Sequence, residues 1–64
     1  MKLTDLERHL RDRGCSFFRH GGSHDIWIHD VTRLMTSIPR HREIKTNTAR
    51  AICKKLGVEP PAGK

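Results

Sequence analysis

Long apolar runs are missing from this sequence. No stretch approaches the about 18 consecutive residues that a membrane span needs, so no membrane role is expected. Cysteine is nearly absent: Cys15 and Cys53 stand alone, and they read as small buried hydrophobes rather than as a disulfide. Internal repeats and low-complexity segments are also lacking, which argues against solenoids and disordered tails. Length is short too. With 64 residues there is little volume for a large pocket, so no cofactor is expected. Met1-Lys2-Leu3 leads straight into a helical pattern, so no signal peptide is expected. A cytoplasmic location with reduced thiols follows as the expectation.

Acidic residues are the last scarcity. Seven stand against 13 lysines and arginines, for a net charge of +6. That balance favours a polyanionic partner: RNA, DNA or an acidic protein surface. The hydrophobic fraction of 34% suffices for one small α/β core and is too high for a disordered basic tail.

The patterning predicts five elements. Thr4 and Glu7 have capping-box spacing, and Leu3, Leu6 and Leu10 repeat at helical intervals up to Gly14, predicting a helix over roughly 4–13. Cys15 to His20 reads as a strand and Gly21-Gly22 as a turn. His24 to His29, with Ile26, Trp27 and Ile28, reads as a second strand. After a turn at Asp30–Arg33, Leu34 to Ile38 reads as a third strand stopped by Pro39. Residues 40–46 form a basic connection. Asn47 is the expected N-cap of a last helix, with Ala49, Ile52, Cys53 and Leu56 on one stripe and Gly57 closing it. The fold class is α+β, in the order α-β-β-β-α: a three-stranded antiparallel sheet with two helices on one face. Residues 1–58 form the single domain, and 59–64, EPPAGK, a flexible tail.

Strand residues alternate faces. With Trp27 in the core under the helices, Asp25 and His29 share its side, and His24, Ile26 and Ile28 point to an open face. The opposite parity buries Ile26 and Ile28 and exposes Trp27. On the first choice the open face carries a histidine beside two isoleucines, a surface suited to cover by a partner.

The triplet Gly22-Ser23-His24, the aromatic Trp27, the stretch Ile38-Pro39-Arg40-His41-Arg42-Glu43-Ile44 and the closing helix TARAICKKLGV, residues 48–58, together resemble HicA-type toxins, also called YcfA-like mRNA interferases. The resemblance runs from about Leu3 to Val58. It implies a fold like the double-stranded-RNA-binding domain. It implies an endoribonuclease that cleaves mRNA and blocks translation as the toxin of a type II toxin–antitoxin system. A HicB-type antitoxin is the implied protein partner, in a heteromeric complex. The histidine of the G-S-H triplet is the family's catalytic one and maps onto His24. Many members carry a second histidine directly after it; here Asp25 stands there.

RNA carries its own nucleophile, the 2′-hydroxyl. An enzyme has to remove that proton, stabilise the phosphorane and protonate the leaving oxygen. An imidazole, with an ordinary pKa of about 6.5, is suited to the proton transfers at neutral pH, and no metal is required. Cations stabilise the phosphate oxygens. Arg19 and Ser23 flank the turn beside His24, with Arg19 expected opposite Ser23 or His24. Arg40, His41, Arg42, Lys45, Arg50, Lys54 and Lys55 follow the third strand or lie on the last helix, where they suit phosphate contacts. His41 is also a candidate second catalytic group. His9 is expected to face solvent, and His20 and His29 to be surface residues at strand ends.

Three alternatives remain open on the sequence. Cys15, His20, His24 and His29 are four possible zinc ligands, though their spacing is longer than that of zinc modules. A non-catalytic RNA- or DNA-binding module of the same fold fits the charge equally well. A chain that only binds a regulator protein would neither cut nor tightly bind RNA.

Overall fold

A computed structural model describes residues 1–61. Its elements are α1 (Leu3–Asp12), β1 (Cys15–Gly21), β2 (His24–His29), β3 (Met35–Pro39) and α2 (Thr46–Leu56). The strands form one antiparallel sheet in the order β1-β2-β3, the expected α-β-β-β-α architecture. Of the expected tail at 59–64, the last three residues lie outside the described ones.

The core is one contiguous cluster. Leu6 and Leu10 of α1 and Ala49, Ile52, Cys53 and Leu56 of α2 meet Cys15, Trp27 and Ile38 from the sheet and Ile44 from the β3–α2 connection. The three sheet residues share one face by alternation and register, so both helices pack on that face. Trp27 is 2% exposed, with the Arg11 guanidinium 5.8 Å from its ring centre. The parity that buries Trp27 is therefore the one adopted, and His24, Ile26 and Ile28 lie on the other face. Ile28 departs from the expectation of an exposed isoleucine. It is only 6% exposed, because β2 is the central strand and neighbours flank it on both sides; Ile26 is half-buried.

Both helix starts differ from the capping expectation. α1 begins at Leu3 after Lys2, without a side-chain cap from Thr4. Backbone pairing replaces the cap. Leu3 N–H donates to Arg42 O at 2.9 Å, Ile44 N–H donates to Met1 O at 2.7 Å, and the terminal ammonium donates to Ile44 O at 2.8 Å. Leu3 N–H, one of the first-turn donors that the helix leaves unpaired, is satisfied in this way, and the other two bonds tie Met1 to Ile44. α2 starts one residue before the expected Asn47 cap. Lys45 is its N-cap, also without a side-chain bond, and Lys45 O accepts from Ala49 N–H at 2.9 Å. Gly57 closes α2 in the left-handed region at φ 74°, as the C′ position requires.

The strand ends shift by one residue. β1 extends to Gly21, so the β1–β2 turn is Gly22-Ser23 rather than Gly21-Gly22, and Gly22 carries the positive φ of 62°. β3 runs to Pro39 and leaves Leu34 outside. A proline is tolerated there because β3 is an edge strand. Arg19 pairs with Ile26, not with Ser23 or His24, because the turn falls at Gly22-Ser23 and Gly21 pairs with His24; farther from the turn, β1 bulges between Phe17 and Arg19.

Cys15 and Cys53 are free and buried. Burial pushes both thiols above the usual cysteine range. Asp30 adds to the rise at Cys15; at Cys53, Cys15 adds to it and Arg13 opposes it. The native state therefore holds these protons to higher pH than the unfolded chain does. Stability linked to them is full below the unfolded thiol pKa of about 8.5 and falls as pH rises above it, by up to about 1.4 kcal/mol per pH unit for each thiol. Urea midpoints measured between pH 7.5 and 9.5 will fall in the wild type and fall less in Cys15→Ala/Cys53→Ala.

Candidate functional site

The exposed histidine follows from the β2 parity. His24 is the first residue of β2, opposite Gly21 on β1 and Pro39 on β3. Neither neighbour carries a long side chain to cover it, and His24 is exposed. Its Nδ1 lies 3.2 Å from Ser23 Oγ. Nε2 has no protein partner among the described residues. The ring is thus held at one nitrogen and open at the other. If Nδ1–H donates to the serine oxygen, Nε2 carries a lone pair and can take a proton. If the serine hydroxyl donates to Nδ1, Nε2 carries a proton and can give it up.

The bulge in β1 decides which cation accompanies it. Uninterrupted alternation from Cys15 would put Arg19 on the helix side of the sheet. The extra residue reverses the parity, so Arg19 opposite Ile26 shares the open face with His24, and His20 opposite Asp25 turns to the helix side. Arg19 and His24 are diagonal neighbours across β1 and β2, within reach of a long side chain.

Arg40 is not a free cation. Its Nη1 lies 3.2 Å from Asp25 Oδ1, and Nη2 donates to Gly22 O. Asp25 Oδ1 also lies 2.9 Å from His20 Nδ1, which is in turn 3.2 Å from Arg40 Nη1. His20 Nδ1 can serve only one of them: protonated it donates to the carboxylate, deprotonated it accepts from the guanidinium. Sequence reasoning placed Arg40 among RNA contacts and left Asp25 as an unexplained departure. The pairing of residues 15 apart across β2 and β3 has no local signature, so only the fold reveals it.

The remaining candidates lie on the β3–α2 connection and on α2. His41 and Arg42 sit exposed in the β3–α2 connection. Pro39, His41, Glu43, Ile44, Lys45 and Thr48 line one shallow cleft. Arg50 and Lys54, one helical turn apart on α2, border a groove with Ala51, Val58 and Pro60. α2 packs on the side of the sheet opposite His24, so Arg50 and Lys54 are not gathered around the histidine.

The other histidines have structural partners. His29 Nδ1 accepts from the N–H groups of Val31 and Thr32 at 3.1 and 3.3 Å, which organises the β2–β3 turn. His9, expected in solvent, is half-buried, and its Nε2 meets Glu59 O at 2.7 Å. Among the described residues, no three His, Cys, Asp or Glu side chains are grouped so as to hold a metal ion, so Cys15, His20, His24 and His29 do not form a shared ligand set. No helix among those residues is long and apolar enough to cross a membrane.

Ser23→Ala removes the one hydrogen-bond partner that the His24 ring has among the described residues. Nitrogen-detected NMR of the two imidazole nitrogens will show a changed tautomer ratio. Thermal stability will be essentially unchanged, since both groups are exposed.

Comparison with known proteins places these residues in a wider setting. Neither the comparison with curated proteins nor that with solved structures gave a match. Residues 4–58 match the family model described as the HicA toxin of bacterial toxin-antitoxin. The match takes in both helices almost entirely, all three strands and the Ser23–His24 pair, and the chain belongs to the HicA toxin family.

Proposed function

We propose that this chain is the toxin of a toxin–antitoxin pair and an endoribonuclease that cuts mRNA in the cytoplasm, with His24 as its general acid–base. The observation that carries this reading is the placement of the imidazole. It stands on an open sheet face at the end of a central strand, with Nδ1 engaged by Ser23 at 3.2 Å and Nε2 turned to no protein group among the described residues. A rigid strand holds a proton-transfer group better than a loop does.

The step needs only the substrate's own hydroxyl. Nε2 takes the 2′-OH proton, and the 2′ oxygen attacks the neighbouring phosphorus. The P–O5′ bond then breaks, and the leaving 5′ oxygen takes a proton from the imidazolium. The products end in a 2′,3′-cyclic phosphate and a 5′-hydroxyl. Arg19, on the same face, supplies positive charge to the phosphorane oxygens. Ser23 fixes the ring. Arg42, Lys45, Arg50 and Lys54 grip the RNA backbone away from the reacting phosphate, and His41 lies among them. The excess of 13 basic over seven acidic residues supports attraction of the polyanion from any direction. A HicB-type antitoxin is the proposed protein partner, in a heteromeric complex.

The test is a digest of labelled mRNA in EDTA. The wild type will cut it and leave cyclic-phosphate ends, and folded His24→Ala will cut at least about 10²-fold more slowly. Equal cutting by both would move the chemistry away from His24. RNA bound but left intact by the wild type would favour the non-catalytic module, a reading that Asp25 in place of the family's frequent second histidine keeps in view.

Backbone gripping has its own signature. Arg50→Ala and Lys54→Ala will each weaken binding of single-stranded RNA regardless of its sequence. Each will also reduce the slope of log K against log salt by about 0.7.

A further inference from the structure

We propose that Arg40, held by Asp25, is a positioning residue that fixes the turn carrying His24. This inference rests on His24 being the catalytic group, and it reassigns Arg40 from RNA contact to support.

Three observations carry it. First, the tip of the turn is unpacked at Gly22, which sits at φ 62° with open space around a Cβ built there. Hydrogen bonds therefore weigh heavily in setting the position of that residue. Second, Arg40 reaches it from the far side of the sheet. The planar guanidinium spans two anchors, Gly22 O through Nη2 and Asp25 Oδ1 through Nη1, which ties the end of β3 to the β1–β2 turn. A lysine ammonium cannot reproduce that fork. Third, Asp25 is the fixed end of the clamp. Its side chain is 16% exposed, so its carboxylate is largely removed from water and needs its charge matched. His20, at 2.9 Å, is the second partner.

The clamp works through the backbone. Asp25 and His24 are adjacent on β2 and point to opposite faces. Arg40 thus braces the strand end from the helix side while the imidazole faces out on the other. A reacting group displaced by 1 Å can lose about 10²-fold in rate, so a brace on a bare glycine turn has a direct effect on catalysis without touching RNA.

A direct phosphate role for Arg40 predicts the opposite behaviour, and Asp25→Asn separates the two. The substitution keeps the shape, removes the partner charge and raises the net charge. A phosphate-binding Arg40 would be released by it, and RNA would bind more tightly with kcat unchanged or higher. A positioning Arg40 loses its anchor, and kcat falls about 10-fold with KM within twofold. Arg40→Lys, which keeps the charge, will lower kcat to a similar extent. Asp25→Asn/Arg40→Lys will be no slower than the worse single variant, because the two residues act as one unit.

Amide hydrogen exchange without RNA supplies the readout on the turn itself. Exchange at His24, the strand residue that closes the turn opposite Gly21, will quicken in Asp25→Asn and in Arg40→Lys, while Trp27 and Ile38 stay protected. Unchanged exchange at the turn in both variants overturns the clamp, as does tighter RNA binding by Asp25→Asn with full kcat. Failure of the catalytic reading is visible separately, as undiminished cutting by His24→Ala, and leaves the exchange result standing on its own.

Discussion

Burial of one tryptophan sets the orientation of everything else. A strand has a period of two, so fixing Trp27 under the helices fixes every other residue of β2. His24, Ile26 and Ile28 must then face away from the core, and Asp25 and His29 must face toward the helix side. Trp27 is the largest apolar group in the chain, and its indole covers more area than either isoleucine. With Trp27 under the helices, Ile28 is still covered between its neighbouring strands and Ile26 is half-buried, so this parity leaves none of the three large apolar groups of β2 fully exposed. The exposed imidazole, the Asp25–Arg40 pair on the other side of the sheet and the turn histidine at position 29 all follow from that single choice.

A chain this small has one core and little surplus stability, so the start of α1 has to be tied to the rest of the fold. The structure meets that constraint with backbone rather than side chains. Met1, Leu3, Arg42 and Ile44 exchange three hydrogen bonds at 2.7–2.9 Å, which join the start of α1 to the connection before α2. Neither helix then uses a side-chain cap. The two thiols stay protonated and buried among aliphatic side chains, where they act as packing groups. No charged or polar residue among those described is buried, so the basic surplus lies entirely at the surface, available to a polyanion.

The surplus is divided between two sides. Arg19 and His24 occupy the open face of the sheet, whereas Arg50 and Lys54 lie on α2 on the other side. The molecule is only 16 Å across in its thinnest dimension. On the function proposed above, an RNA strand that touches both sets would have to pass round the end or edge of the sheet, leaving few cations at the reacting phosphate. Positioning of His24 would then fall to the protein scaffold, through Ser23 on the ring and Arg40 on the turn.

The sequence by itself determined the five elements, the core stripes and the charge, and its resemblance to HicA-type toxins singled out His24. The first three are local or periodic properties: Leu6 and Leu10, or Ile52 and Leu56, declare their face by spacing alone. Tertiary structure decided what depends on contacts between distant residues. The bulge between Phe17 and Arg19 moved Arg19 to the face of His24 and His20 to that of Asp25. Its one hint was a pair of adjacent aromatics that alternation cannot place on one side. The link from Arg40 to Asp25 and Gly22 crosses 15 and 18 positions and leaves no pattern in the chain. The helix starts were set by hydrogen bonds between residues more than 35 apart, from Leu3 to Arg42 and from Ile44 to Met1, which outweighed the local preference of Thr4 for a capping position. Periodicity records which way a side chain points along its own element, and only the folded sheet decides which side chain stands across from it.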